Sequence, residues 1–120
     1  MTASPVYRQW QVWVVDWTYK NKTLEDEVRY GLILSPSWYW EKNQTLVVAK
    51  ISKVFHPSVL PCLEVGPDDP EWKQTNLPLR SYIYLADVEK LTRKHMVEKL
   101  GDLGPVDAKE AERLIREATK

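Results

Sequence analysis

Arg29 and Ser52 are the two residues whose types and spacing fit the binding of a phosphate group. Arg29 enters the apolar run of residues 28–35, and Ser52 lies towards the end of the run of residues 45–55. If the two runs pair as antiparallel strands, the entry of the first lies beside the exit of the second. A guanidinium offers two phosphate oxygens a planar fork of donors, and a hydroxyl adds another donor. The sequence therefore predicts a phosphate site at one end of a sheet.

Five strand-like runs must position these residues. Residues in the runs are rich in β-branched and aromatic side chains, which favour strands. The runs are 10–17, 28–35, 45–55, 60–65 and 80–85. The charged segment 19–27 is predicted to be a mobile connection, and residues 36–44 a polar and aromatic loop. Three prolines and a glycine predict a further loop at residues 66–78.

The C-terminal residues 106–119 predict an amphipathic helix. Apolar residues recur there at a spacing of three and four, which places them on one helical face, at positions Ala111, Leu114, Ile115 and Ala118. Asp107 followed by Glu110 predicts a capping box at the helix start. Residues 1–120 are expected to form one domain, with residues 1–8 as a flexible N-terminal segment.

Composition limits the possible function classes. The chain has 120 residues, 17 basic and 17 acidic side chains and a formal net charge of zero, so any nucleic-acid binding must come from a local patch. Cys62 is the one cysteine, which excludes an internal disulfide framework and a cysteine-rich zinc site. His56 and His95 do not have the spacing of metal ligands. We therefore expect no metal and no cofactor, and a cytoplasmic protein without a signal peptide or membrane span.

The ordered motifs resemble the PemK/MazF family of toxin endoribonucleases. The matching stretches are Arg29, LILSP at 32–36, LVVAKIS at 46–52, and a later block that begins with LRSYI at 79–83 and includes VEKLGDL at 97–103. The family pattern usually has proline where this chain has Tyr30, and threonine where it has Ser52. The resemblance spans residues 10–118.

The resemblance implies a fold that is mainly β with a C-terminal helix: a small SH3-like antiparallel β-barrel of the CcdB/PemK type. It also implies the toxin component of a type II toxin–antitoxin system, usually a homodimer, which is restrained by a cognate antitoxin. The implied activity is that of an mRNA interferase, which cleaves single-stranded RNA without metal and leaves 2′,3′-cyclic phosphate and 5′-hydroxyl ends.

Such cleavage needs a base for the attacking 2′-hydroxyl, positive charge or donors for the phosphorane oxygens, and an acid for the leaving 5′-oxygen. The resemblance assigns catalytic roles to Arg29 and Ser52. It puts Ala86 where some members carry an acid, with Asp87 one residue later as the candidate general base. Because neighbouring strand residues point to opposite faces, Asp87 needs a bulge or turn to reach the site. Surface pairing of Arg29 and a turn role for Asp87 remain open alternatives.

Trp38, Trp40, Tyr30 and Lys50 are the candidate RNA-binding residues. Tryptophan rings stack on unpaired bases, and a lysine attracts the phosphate backbone. On an extended loop Trp38 and Trp40 would share one side, and at least one of them is alternatively expected at the dimer interface. An alternative function is a catalytically weakened fold that binds RNA or protein, because Trp10-Gln11 replaces the usual Gly-Asp and Ala86 the usual acid. A general small-barrel adaptor that binds a protein partner is a third reading.

Overall fold

The computed structural model describes residues 6–17 and 30–119, which form six strands and three helices. The strands are β1 Gln11–Val15, β2 Tyr30–Ile33, β3 Leu46–Ser52, β4 Cys62–Val65, β5 Ser81–Leu91 and β6 Met96–Asp102. The helices are α1 Ser37–Asn43, α2 Trp72–Thr75 and α3 Pro105–Ala118. Residues 1–5, residues 18–29 with Arg29 and the whole charged segment 19–27, and Lys120 lie outside the described residues. No helix of the described part has the length and apolar character needed to cross a membrane.

The strands form one sheet in the order β4-β5-β3-β2-β1-β6, and every described pairing is antiparallel. The predicted mainly-β fold with a C-terminal helix is thus confirmed. Within the part of the chain that the structure describes, the sheet is open, with β4 and β6 at its edges. The SH3-like barrel therefore stays a prediction.

Residues 36–44 are not the extended loop expected from the sequence, because residues 37–43 form the helix α1. Pro36 caps the helix start in an extended conformation, and Gln44 ends it with a left-handed φ of 56°. The segment is too short to show the helical repeat that would have predicted it. The strands also extend further than predicted, because β5 continues to Leu91 and β6 follows a short 3₁₀ turn at Arg93–His95.

Strand alternation divides the core between the two faces of the sheet. The first, here called the helix face, packs against α3 and contains fully buried Leu32, Ile51 and Ile83 together with Ala108 and Ala111 of the helix. The second is here called the aromatic face. Its apolar cluster comprises Tyr7, Trp13, Val15, Trp17, Ile33, Leu46, Val48, Leu91 and Met96.

The predicted capping box of the C-terminal helix is wrong, because α3 begins at Pro105 and Gly104 is its cap residue. The cap comes from another element: Glu71, just before α2, accepts hydrogen bonds from the backbone N–H groups of Val106 at 3.0 Å and Asp107 at 2.9 Å. A carboxylate at a helix N-terminus also complements the helix dipole. Glu110 instead accepts two 2.8 Å hydrogen bonds from Arg113.

Trp10, at the place where the resemblance expected glycine, has a φ of 73°. This left-handed conformation costs an ordinary L-residue about 1–2 kcal/mol, which glycine avoids. Two backbone hydrogen bonds hold Trp10, and its indole packs against the helix-face core. Gln11, in place of the expected Asp, accepts a 2.9 Å hydrogen bond from the Trp13 indole. Both departures from the pattern therefore have structural roles.

Candidate functional site

Ser52 ends β3 and is the described half of the predicted phosphate site. Tyr30 pairs with Ile51 across β2 and β3, so the described register ends one residue before Arg29 and Ser52 would meet. Because Arg29 lies outside the described residues, the convergence of the two side chains stays a prediction.

The Ser52 side chain has a local hydrogen bond. The residue is only 1% exposed, and its Oγ accepts the backbone N–H of Val54 at 3.0 Å. A serine hydroxyl that accepts one hydrogen bond retains its own hydrogen as a donor. In this structure Ser52 shapes the turn that leaves β3, and a catalytic contact would have to use the remaining donor.

Lys50 and Ser52 alternate along β3 and so lie on the same face of the sheet, the aromatic face. Trp17 provides a support for Lys50, whose Nζ lies 5.6 Å from the centre of the indole. Gly31 allows this indole to approach the sheet, since a Cβ there would lie 3.3 Å from Cζ2 of Trp17 and 2.5 Å from Cγ1 of Val48. Gly31 and Trp17 thus position the Lys50 ammonium group.

Asp87 is brought to the same cation by an irregularity in β5. Tyr84 pairs with Lys50 and Val88 with the adjacent Ala49, so residues 85–87 form an extra stretch between consecutive β3 partners. The Asp87 Oδ1 lies 3.5 Å from Lys50 Nζ, with the lysine side chain 19% and the aspartate side chain 42% exposed. The shift thus supplies the bulge that the sequence argument required, although the role of Asp87 as a base stays a prediction.

Trp38 and Trp40 do not form one patch. Trp38 is 62% exposed on α1, while the Trp40 ring packs edge-on at 4.6 Å from the Tyr7 ring. The helix α1 precedes the start of β3, and at about 3.3 Å per residue Ser52 lies on the order of 20 Å further along that strand. Tyr30 is half-buried against the helix-face core. None of these three aromatic residues belongs to the site that contains Lys50 and Asp87.

Three aromatic residues near Ser52 were not selected as site residues from the sequence. Tyr82 pairs with Ser52 and Tyr84 with Lys50, so both tyrosines lie on the aromatic face. The Tyr84 hydroxyl donates to the Val54 carbonyl at 2.6 Å and accepts the His56 N–H at 2.8 Å. The Phe55 ring lies 5.4 Å from the Tyr82 ring. The alternation in Tyr82-Ile83-Tyr84 is the sequence signal that could have indicated a shared face.

Cys62 is not an activated nucleophile. Burial raises the pKa of its thiol, and the negative charge of Glu64 raises the pKa further. A thiol with a raised pKa stays protonated near neutral pH, whereas the nucleophile in cysteine chemistry is the thiolate.

One group of three carboxylates within the described residues is close enough to hold a cation. Oxygen atoms of Asp69, Glu71 and Asp107 lie within 4.8 Å of one another at the start of α3. Burial, a hydrogen bond to Asp69 and the charges of Asp69, Glu71 and Glu110 raise the pKa of Asp107 to about 7. Oδ2 of Asp107 faces no donor when ionised, but a protonated Asp107 can donate to Asp69. Since Glu71 caps α3, this cluster has a structural explanation.

The described site therefore combines a cation, a carboxylate and a hydroxyl on one face of the sheet, beside the rings of Phe55 and Tyr82. A lysine can bind a phosphate oxygen, and an exposed carboxylate can accept a proton. This combination suits chemistry at a phosphodiester.

No protein-family model and no curated protein matches the sequence. Solved structures do match the fold. An endoribonuclease from a mycobacterial species superposes with a TM-score of 0.69 at 17% identity, over 98% of this chain and 95% of that chain. A mycobacterial endoribonuclease in complex with its cognate antitoxin gives 0.68 at 18% identity, over 97% and 95%. The MazE–MazF complex from Deinococcus radiodurans gives 0.68 at 11% identity, over 98% of both chains. The resemblance to MazF-type toxins is thus confirmed at the level of the fold.

Proposed function

We propose that the protein is the toxin component of a toxin–antitoxin system and cleaves single-stranded RNA as a metal-independent endoribonuclease. The products are a 2′,3′-cyclic phosphate and a 5′-hydroxyl. The observation that carries the proposal is the Lys50–Asp87 pair, held at 3.5 Å by the irregularity in β5, on a fold shared with endoribonucleases over nearly the whole chain.

In the proposed reaction the RNA 2′-oxygen attacks the adjacent phosphorus, and the bond from phosphorus to the 5′-oxygen breaks. Asp87 accepts the proton of the 2′-hydroxyl as the general base. Arg29 and Lys50 bind the phosphoryl oxygens, on which negative charge develops in the transition state. The Lys50 ammonium donates a proton to the leaving 5′-oxygen, and proton transfer from Asp87 to Lys50 restores the starting state.

Arg29 and Ser52 complete the proposed site. Arg29 directly precedes Tyr30 and Ser52 directly follows Ile51, so continuation of the antiparallel register beyond the Tyr30–Ile51 pair would place Arg29 and Ser52 opposite each other. The remaining hydrogen of Ser52 then donates to the phosphate that Arg29 grips. Tyr30 would contribute to RNA binding through its backbone position rather than through its half-buried ring.

The proposed partners are a cognate antitoxin, a second copy of the chain and single-stranded RNA, all in the cytoplasm. Two of the solved structures that share the fold are complexes with an antitoxin or with MazE. Trp38 is the exposed aromatic residue of α1 and is proposed as the tryptophan at the dimer interface. Trp40 instead packs on Tyr7.

The test is cleavage of an unstructured RNA in EDTA by the purified protein, by Arg29→Ala and by a matched control, Arg113→Ala. Arg113 pairs with Glu110 on the exposed side of α3. We expect Arg29→Ala to lose at least about 100-fold in rate, the usual cost of one transition-state donor, and Arg113→Ala to match the wild type. The new 5′-hydroxyls should accept phosphate from polynucleotide kinase without phosphatase treatment. Equal rates for the wild type and Arg29→Ala would dismiss the proposed site.

A second candidate function is an RNA- or protein-binding module that has lost cleavage. The observation in its favour is Ser52, whose hydroxyl is buried and already bonded to Val54. Expression of the wild-type chain without an antitoxin distinguishes the two. An active toxin arrests growth and Arg29→Ala relieves the arrest, whereas a binding module leaves growth unchanged in both cases.

A further inference from the structure

Phe55 is an exposed aromatic residue next to the candidate site. Its side chain is 50% exposed, although phenylalanine is usually buried in folded proteins. One side of the ring contacts Tyr82, with ring centroids 5.4 Å apart and the planes tilted by 49°. The contact supports the ring from the sheet side and leaves its remaining surface open.

The backbone on both sides of Phe55 is fixed by side chains of the sheet. Before it, Val54 donates its N–H to Ser52 Oγ and accepts the Tyr84 hydroxyl through its carbonyl. After it, His56 donates its N–H to the same Tyr84 hydroxyl. Three hydrogen bonds therefore hold the tip of the 53–56 loop. Because the loop is ordered before binding, less conformational entropy is lost when a ligand binds.

The neighbours of Phe55 favour a nucleic acid strand as its ligand. Tyr82, which supports the ring, pairs with Ser52, and two residues further along the same face Tyr84 pairs with Lys50. An aromatic surface beside a cation matches the alternation of base and phosphate in a single strand. Bases of a duplex are already stacked and paired, so an exposed ring of this kind selects unpaired ones.

We propose that Phe55, supported by Tyr82, stacks on an unpaired nucleobase whose phosphate lies at Lys50. Tyr84 is the positioning residue of this subsite, because its hydroxyl holds the loop without facing the base. The inference rests on the proposed function and adds to it the part of the RNA that is bound beside the cleaved phosphodiester. It also assigns base stacking to a different residue from Trp38, which belongs to α1 at the other end of β3.

The experiment measures binding of a fluorescent, single-stranded 2′-O-methyl RNA, which lacks the attacking hydroxyl and stays intact. Anisotropy titrations compare the wild type with Phe55→Ala, Phe55→Leu and Phe55→Trp. We expect Phe55→Ala to weaken binding about 5- to 100-fold, Phe55→Leu to weaken it nearly as much, and Phe55→Trp to retain it, because stacking requires a ring. The control is Val97→Ala, which truncates an exposed apolar residue of β6 and should leave binding unchanged.

The outcomes separate this inference from the function on which it rests. Wild-type cleavage of ordinary RNA together with unchanged binding by Phe55→Ala would overturn the inference alone. A wild type that neither binds nor cuts single-stranded RNA would overturn both. Loss of antitoxin binding by Phe55→Ala, with RNA binding intact, would assign the ring to the protein partner and would also overturn the inference. A cooperative urea transition close to that of the wild type establishes that each variant is folded.

Discussion

The two faces of the sheet use the same strand for different purposes. On β3, Ile51 is fully buried in the core beneath α3, whereas its neighbours Lys50 and Ser52 lie on the aromatic face. The helix face is covered by a helix whose start is capped by Glu71. The aromatic face continues from an apolar cluster into a cation, a carboxylate and a partly exposed ring. Ile51 therefore contributes to stability, whereas its neighbours Lys50 and Ser52 carry the proposed chemistry.

The largest effect is expected when the helix face is disrupted. Ile51→Ala removes a fully buried side chain and leaves a cavity, so the free energy of unfolding should fall by about 2–5 kcal/mol. Urea denaturation followed by tryptophan fluorescence measures the change. A loss below about 1 kcal/mol would mean that this face is not the main source of stability.

Lys50 directly precedes Ile51, but Lys50→Ala should reduce activity and leave stability nearly unchanged. Loss of a cation at the phosphate is expected to slow RNA cleavage about 10- to 100-fold, while unfolding changes by about 1 kcal/mol or less because the pair with Asp87 is partly exposed. Rates at saturating RNA and urea curves provide the two measurements. Lys99→Ala is the control, since Lys99 also pairs with an aspartate on a strand, at 3.1 Å from Asp102. Equal cleavage by both variants would contradict the assignment of the aromatic face.

The pH dependence of the free energy of unfolding should arise from Asp107, which belongs to the helix that covers the helix face. The pKa of Asp107 is about 7 in the fold and 3.8 in the reference state, so the folded protein binds the additional proton. Its contribution is therefore fully present below about pH 4 and is lost as the pH rises through 7. Between pH 5 and pH 8 the wild type should lose about 1–2 kcal/mol relative to Asp107→Asn, a range reduced from the full shift because Asp107 is only partly buried.

Urea curves of both proteins at the two pH values measure this difference, and Glu112→Gln on the exposed side of α3 is the control. The same slope in the wild type and in Asp107→Asn would contradict the pKa argument. If Asp107→Asn folds but loses RNA cleavage, the helix face also contributes to activity. The assignment of stability and chemistry to separate faces would then be incorrect.

The smallest effect is expected from loss of the Tyr84 hydroxyl, which holds the 53–56 loop on the aromatic face. Tyr84→Phe removes the hydroxyl that bonds Val54 and His56, so unfolding should become easier by about 1 kcal/mol and RNA binding a few-fold weaker. The kinetic signature is a higher KM with little change in kcat. Tyr82→Phe keeps the ring that contacts Phe55 and should behave as the wild type. A reduced kcat in Tyr84→Phe would place its hydroxyl in the chemistry instead.

The sequence predicted five of the six described strands and the helix that covers the sheet, because these depend on local patterns, but it did not predict β6. The alternation of Val12, Trp13 and Val15 and the spacing of Ala111 and Leu114 are visible within single segments. Glu71, by contrast, caps a helix that starts 34 residues later, and no local pattern shows that contact. The capping-box prediction failed for this reason.

At the candidate site the same limit applies. Lys50 and Ser52 share a face by simple alternation, which the sequence shows directly. Asp87 reaches Lys50 only because the register shifts between Ala49 and Lys50, and such a shift depends on how two strands pair. The position of Phe55 depends on the hydrogen bonds that the Tyr84 hydroxyl forms with its neighbours Val54 and His56, and Tyr84 is 29 positions away. Positions set by a single segment could be inferred from the sequence alone, whereas Asp87 was named only through the resemblance and Phe55 was missed, because the placement of both depends on a second segment.

The irregular stretch of residues 85–87 separates β5 into two ladders that are each anchored by their own pairs, one around Tyr84 and one from Val88 onward. We expect an insertion or deletion of one residue at positions 86–87, beyond the buried Leu85, to leave both ladders in register and to change which side chain meets Lys50. In evolutionary terms, the acid of this site can be exchanged by a change of length as well as by substitution. Related chains should therefore be aligned with a gap allowed at this stretch, because an ungapped alignment would compare Asp87 with the wrong residue.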